Sequence, residues 1–302
     1  MVDPSMPFGL LNLNKPAGLT SRDAVNRVQR VLKSLGKAAD AKPAKVGHAG
    51  PLAPLATGGL VLCVGSATKL IERVQRMPKR YRGKFLLGRR SASDDVELEV
   101  TELPDAPRPT LGQIEAALPA FLGEIQQVPP AYSAIKVGGR KSYDMARAGN
   151  PPELPPRPVT IYELSVERYE YPELVLDINC GSGTYVRSIG RDLAKSLDTA
   201  AVMSALERTE IGPFTVADGV EPNAVTETAL SDLLQPATLA VADLPRVEVN
   251  AAEVEELRNG RFIARGDEPL ADEVAAVDEA GRLVALLKPR GTERYQPVRN
   301  FA

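Results

Sequence analysis

Fourteen residues from Val46 to Gly59 concentrate the backbone and side-chain types that chemistry on a ligand requires. They read Val-Gly-His-Ala-Gly-Pro-Leu-Ala-Pro-Leu-Ala-Thr-Gly-Gly, with four glycines, two prolines and the chain's one histidine, His48. Glycine frees the backbone and proline fixes it, a mixture suited to a main chain held close to a ligand, although a long connector between strands has the same look. A second group lies between Lys79 and Arg90, where six basic residues (Lys79, Arg80, Arg82, Lys84, Arg89, Arg90) surround Tyr81 and Phe85 with no acid among them. Cations interleaved with aromatic rings suit a phosphate backbone beside a base that can be stacked. A sheet edge guarded by cations is the competing explanation. Third, Arg187 follows the turn Gly181-Ser182-Gly183 at the start of an expected helix, where a cation opposes the macrodipole at a cost of up to about 1 kcal/mol. Such a residue calls for an anionic partner.

The elements that must position these groups follow from periodicity. Gly9 to Asn14 reads as a strand broken by Lys15-Pro16-Ala17-Gly18. Thr20 or Ser21 then caps a helix with apolar Ala24, Val25, Val28, Val31 and Leu32, and a loop is expected from Ser34 to Lys45. Leu60 to Val64 is a buried strand, Thr68 to Gln75 helical, and Arg80 to Leu87 a strand. An amphipathic helix is expected over Leu111 to Leu122, carrying Ile114, Ala117, Leu118 and Phe121. Pro129 and Pro130 hold the chain extended towards a tight turn at Gly138-Gly139. After the proline-rich 151–158, strands follow at Val159 to Val166 and Glu173 to Cys180, then a helix from Thr184 with Val186, Ile189, Gly190, Leu193 and Leu197 inward. From about residue 245 the pattern changes to a short strand, an Asn250-capped helix with Glu253 in the capping box, an Asn259-Gly260 stop and a hairpin near Gly281. Residues 1–244 and 245–302 are therefore expected to form a large α+β domain and a small β-rich one.

Composition narrows the function. The 302 residues are 43% hydrophobic, enough for a large core, and contain no apolar run long enough to cross a membrane. The chain start lacks a secretory pattern, so a cytoplasmic protein is expected. One histidine and two cysteines, Cys63 and Cys180 in apolar strands, argue for buried thiols, no disulfide and no metal site. The net charge of −2 does not announce a nucleic-acid partner, so any RNA contact must be local. The run Asp267 to Glu279, with six acids and no base, is expected to turn away from phosphate, whereas Lys288, Arg290, Arg294 and Arg299 could meet it.

In order along the chain, Leu13-Asn14-Lys15-Pro16-Ala17-Gly18, Gly47-His48-Ala49-Gly50 through Pro54-Leu55-Ala56-Thr57-Gly58, and Lys79-Arg80-Tyr81-Arg82 are joined by three further motifs. These are Pro129-Pro130-Ala131-Tyr132-Ser133-Ala134-Ile135-Lys136, Cys180-Gly181-Ser182-Gly183-Thr184-Tyr185-Val186-Arg187-Ser188-Ile189, and Leu206-Glu207-Arg208-Thr209. Together they resemble the TruB family of tRNA pseudouridine synthases over nearly the whole chain. The resemblance implies a bent, mainly antiparallel mixed sheet with flanking helices, followed by a small PUA-like β-rich domain. It implies a T-loop uridine flipped out of its stack and isomerised without cofactor or metal. On that resemblance His48 fills the space vacated in the RNA loop, Tyr81 is a catalytic residue that stacks on the flipped base and acts near its proton, with Lys15 and Pro16 behind it, and Leu206 walls the pocket. Arg80 and Arg82 contact RNA, and Arg187 pairs with the catalytic aspartate. The expected partner is tRNA or a tRNA-like stem-loop, bound by a monomer.

One position departs from the family's Gly-His-x-Gly-x-Leu-Asp-Pro pattern. Ala53 stands where the catalytic aspartate belongs, and Pro51 stands where a small residue is usual. Bond cleavage and rejoining through carbon need a group that attacks or relays charge, and a methyl group does neither. The expectation is therefore an RNA-binding protein on a synthase scaffold, inactive or severely impaired. An active synthase recruiting Asp40, Asp94 or Asp95, and a protein–protein scaffold that has lost RNA, are the alternatives. If Ala53 leaves Arg187 unpaired, either its surroundings are wet or another anion holds it.

Overall fold

The computed structural model describes residues 7–265 and 271–301. Strand β1 (Gly9–Lys15) and the antiparallel strand β3 (Thr57–Val64) face one another in register, Leu11 opposite Leu62 and Leu13 opposite Leu60. Their leucines are buried beneath helix α1 (Ser21–Ala38), whose Ala24, Val25, Val28 and Leu32 supply the other half of that core. Thr20 caps the helix, with Asp23 completing a capping box. The loop expected from Ser34 begins later, because α1 runs to Ala38. Gly36 is kept inside the helix by the returning chain, since a Cβ there would lie 2.9 Å from the Ala41 carbonyl oxygen.

The short strand β2 (Val46–His48) pairs with the end of β3. Strand β4 (Lys79–Leu87) lies mid-sheet, between Ala201–Ile211 and Glu173–Cys180. The nine-stranded sheet runs from β1 through β3, Ala201–Ile211, β4, Glu173–Cys180 and Arg157–Glu170 to Gly123–Gln127, with β2 and Phe214–Thr215 off this path. Only the contact of Ala201–Ile211 with β3 is parallel. Register shifts in Ala201–Ile211 and Arg157–Glu170 mark the irregularities at which a sheet bends.

Helix Val186–Ser196 begins two residues after the expected Thr184 and packs Val186, Ile189 and Leu193 onto the sheet. Gly190 is required there, because a Cβ would come within 2.1 Å of the Phe85 ring. The helix expected over Leu111 to Leu122 is α-helical only to Ala117 and tightens into a 3-10 turn through Phe121. Pro119 lacks the N–H that would continue the ladder, and Leu122 is exposed.

A second sheet of five strands orders Arg246–Val249, Val274–Asp278, Leu283–Pro289, Arg294–Asn300 and Ile263–Ala264. Helix Ala251–Arg258 carries the expected Asn250–Glu253 capping box. Ala275, Leu283, Leu286 and Phe301 from this part share a core with Leu10, Val61 and Cys63 of the larger sheet and with Leu70 of the 3-10 turn after β3. Within the acidic run, Asp267 and Glu268 lie outside the described residues. Glu273 is ion-paired with Arg73 and Asp278 with Arg282. Among the described residues no helix is long and apolar enough to cross a membrane.

Candidate active-site loop and its surroundings

The loop after β2 is fastened at several points. Ala49 donates its N–H to the Val61 carbonyl at 2.8 Å. Leu52 is held by Ser21 from both sides, its N–H donating to the hydroxyl at 2.8 Å and its carbonyl accepting from it at 3.1 Å. Gly18 donates to Pro54 at 2.8 Å, and Ala56 closes a turn by donating to the Ala53 carbonyl at 3.1 Å. Between these anchors Ala53 is exposed. Gly58 ends the loop with φ +99°, and a Cβ there would lie 2.3 Å from the Arg208 carbonyl oxygen, so only glycine fits.

Sheet register then brings the candidate residues together. Tyr81 on β4 lies opposite Arg208, which is opposite Gly58 on β3, and Leu206 two residues earlier faces Gly83. Tyr81, Leu206 and Leu55 of the loop pack on the same apolar cluster as Ile178 and Val186. The loop, β4 and the strand Ala201–Ile211 thus meet at one apolar cluster.

Arg208 occupies the centre of this row, 2% exposed, and had no role in the sequence reading beyond its motif. Its guanidinium donates to the carbonyls of Gly59 at 2.8 Å, Gly50 at 3.1 Å and Pro51 at 3.4 Å, gripping the loop on both sides of Ala53. No carboxylate takes part in those bonds. The signal that could have found it is strand alternation, which puts Arg208 on the same face as Leu206.

Its charge spreads to the neighbours. Burial, reinforced by Arg208, pushes the Lys79 ammonium down to about 8. Lys15 is lowered for the same two reasons. It is fully buried and donates to the carbonyls of Pro16 at 2.9 Å and Leu19 at 2.7 Å, so it shapes the turn from beneath while Pro16 is exposed. Burial raises the Tyr81 phenol, and attraction to Arg208 offsets part of that rise.

His48 is half-buried, its Nδ1 enclosed without a hydrogen-bond partner. Burial first, then the charges of Arg208 and Arg22, hold its pKa below 6.5. The unfolded chain therefore takes up a proton that the folded one refuses. Stability is expected to fall as pH drops below about 6.5, and an NMR titration of the single histidine should give a midpoint under that value. A midpoint at or above it would contradict the burial seen here.

Arg187 does not stand alone. Its Nη1 donates to Asp95 Oδ2 at 2.6 Å and to the Ser93 carbonyl at 2.9 Å, and its Nη2 donates to the Tyr132 carbonyl at 2.9 Å. The side chains are 18% and 4% exposed. Of the two outcomes open from sequence, the second anion is the one found. Asp95 is held further by the Glu97 N–H at 3.0 Å and the Ser93 hydroxyl. Asp94 is bound to Arg191 at 2.9 Å. Asp40 lies exposed in the turn beyond α1.

The basic stretch is not the uncompensated patch its composition suggests. Arg80 pairs with Asp177 and with Glu163 at 3.1 Å, Arg82 with Glu167, and Arg89 with Glu102 at 2.6 Å. Lys79 is buried and bound to the Met77 carbonyl at 2.6 Å. The sheet-edge explanation fails as well, because β4 is central. These part-exposed pairs contribute about 0–1 kcal/mol each, so exchange of a carboxylate for a phosphate is not costly.

Cys63 and Cys180 are free and buried, with burial pushing their thiols up to about 12 and about 11. Among the described residues no group of three or more His, Cys, Asp or Glu could hold a metal ion.

Comparison with known proteins agrees with this geometry. Residues 37–186 match the profile described as TruB family pseudouridylate synthase (N terminal domain), and residues 244–302 that of tRNA Pseudouridine synthase II, C terminal. The chain is 39% identical over 307 residues to tRNA pseudouridine synthase B of Caulobacter vibrioides, covering 97% of this chain and 96% of that one. It is 41% identical over 262 residues to the protein of the same name from Gluconacetobacter diazotrophicus, covering 85% and 82%. Among solved structures, an H/ACA RNP bound to a substrate RNA containing 2'-deoxyuridine includes a chain of like fold. Its TM-score is 0.69 at 22% identity, covering 98% of this chain and 85% of that one.

Proposed function

We propose that this chain, which belongs to the TruB family of tRNA pseudouridine synthases, binds the T-loop region of tRNA but does not isomerise its uridine at a useful rate. The observation that carries this reading is an intact frame around a missing acid. Ser21, Gly18 and Arg208 still hold the loop, while Ala53 presents a methyl group where the family has its carboxylate.

In this reading Tyr81 stacks on the flipped uracil, with Leu55 and Leu206 as apolar walls, and His48 enters the RNA loop as a neutral ring. Arg80 and Arg82 trade part of their carboxylate pairing for phosphate. Lys15 contributes the shape of the turn rather than a direct ammonium contact. Residues 1–244 form the recognition domain and residues 245–302 the PUA-like one, working as a monomer in the cytoplasm. What disfavours rescue by a substitute acid is the engagement of the candidates: Asp95 is bound to Arg187 and Asp94 to Arg191. Asp95 cannot leave without unpairing the largely buried Arg187, whereas Arg191 would keep Asp192 if Asp94 left.

The test pairs binding with turnover on one RNA. A T-arm hairpin should shift fluorescence anisotropy at micromolar protein or below, while tritium release from uracil C5 runs about 10⁴-fold or more below that of the Caulobacter vibrioides relative assayed alongside. Turnover at the relative's level would refute the proposal.

A further inference from the structure

The cations of β4 are largely paired or buried, whereas those of α1 are not. Arg22, Arg30, Lys33 and Lys37 are all exposed, and at 100° per residue they fall within about 80° of arc on the side away from the buried face. They span sixteen residues, about 22 Å of helix. Among the described residues none of them forms an ion pair. The helix has one acid, Asp23, and its carboxylate is engaged in the capping box with Thr20. A row of four like charges on one helix face, three of them at spacings where they repel, is retained at a cost in helix stability.

We propose that this face of α1 holds the phosphate backbone of the helical RNA stem that leaves the loop seated at Gly47–Gly59. The inference rests on the RNA-binding reading above and adds where the stem lies. Two observations connect the stripe to the site. The first residue of α1, Ser21, is bonded to both polar groups of Leu52, which fixes the helix start against the loop. Arg22, the next residue, is near enough to His48 to contribute to its lowered pKa. The stripe thus starts beside the histidine and runs away from it in a straight line, as a stem runs away from its loop. A rod of like charge matches a duplex backbone through counterion release, with no need for base contacts. The other strongly basic stretch, Lys79 to Arg90, offers no comparable run, because Arg80, Arg82 and Arg89 already face Asp177, Glu163, Glu167 and Glu102 and Lys79 is buried, which leaves Arg90 as its one exposed arginine outside those pairs among the described residues.

The test uses the full chain carrying Arg30→Gln, Lys33→Gln and Lys37→Gln together, changes that keep helix propensity and avoid the residues beside His48. Circular dichroism checks that the fold is kept. With a hairpin bearing a long stem, affinity near 0.15 M salt should fall tenfold or more, and the slope of log K against log salt should become shallower by about 2 to 3. With a hairpin cut to its shortest stable stem, variant and wild type should bind alike. Unchanged affinity and slope on the long stem, while the wild type binds it, would overturn the placement and leave the RNA reading standing. A wild type that binds neither hairpin takes down both.

Discussion

Ala53→Asp is expected to raise uridine isomerisation by about 10⁴-fold, the scale on which removal of a central catalytic group is felt in other enzymes. The gain is expected from one residue because the surrounding frame is already built. Position 53 is exposed, so the larger side chain meets no wall. The turn closed by Ala56 and the Arg208 bonds to Gly50 and Gly59 do not involve the side chain at 53. One complication is local. Pro51 has no N–H to offer, fixes φ, and its carbonyl reaches Arg208 at 3.4 Å, longer than the bond to Gly59. The double variant Pro51→Thr/Ala53→Asp should therefore equal or exceed the single one. Tritium release under single-turnover conditions measures both. If neither gains over wild type on an RNA they still bind, the missing acid is not what limits the protein.

Asp95→Ala is expected to cost about 3–5 kcal/mol of folding stability, the penalty for leaving a largely buried cation without its anion. Arg187 would keep only the Ser93 and Tyr132 carbonyls. Ser93 and Glu97 would lose the acceptor that orders the segment across from the strand Ala201–Ile211. Urea unfolding gives the loss directly. The double variant Asp95→Leu/Arg187→Met should recover most of it, since an apolar pair of similar volume removes both charges together. A loss below about 1 kcal/mol for Asp95→Ala would mean that the pair behaves as a solvated one. The prediction also separates stability from chemistry: the Ala53→Asp gain should vanish in the Asp95→Ala background only as far as the fold does.

Local spacing determined a good deal about this protein. The capped helix α1, the strand–loop–strand around Val46 to Gly59, the helix with Gly190 inward and the Asn250 capping box are written in runs of a few residues. Backbone hydrogen bonding and burial period act over such distances. That the loop Val46 to Gly59 holds no acid was equally legible, because it is a matter of residue type alone. Charge was the property read least well. Whether a cation is free depends on which strands lie beside it, and the acids that answer Arg80, Arg82 and Arg187 stand 97, 85 and 92 residues away. The sheet order that puts β4 between Glu173–Cys180 and Ala201–Ile211 decided two things that composition could not. It set acids beside Arg80 and Arg82 of the apparent RNA-binding strand, and it made Arg208 the buried clamp of the loop. Coulomb attraction follows distance in space, and only the folded chain sets that distance.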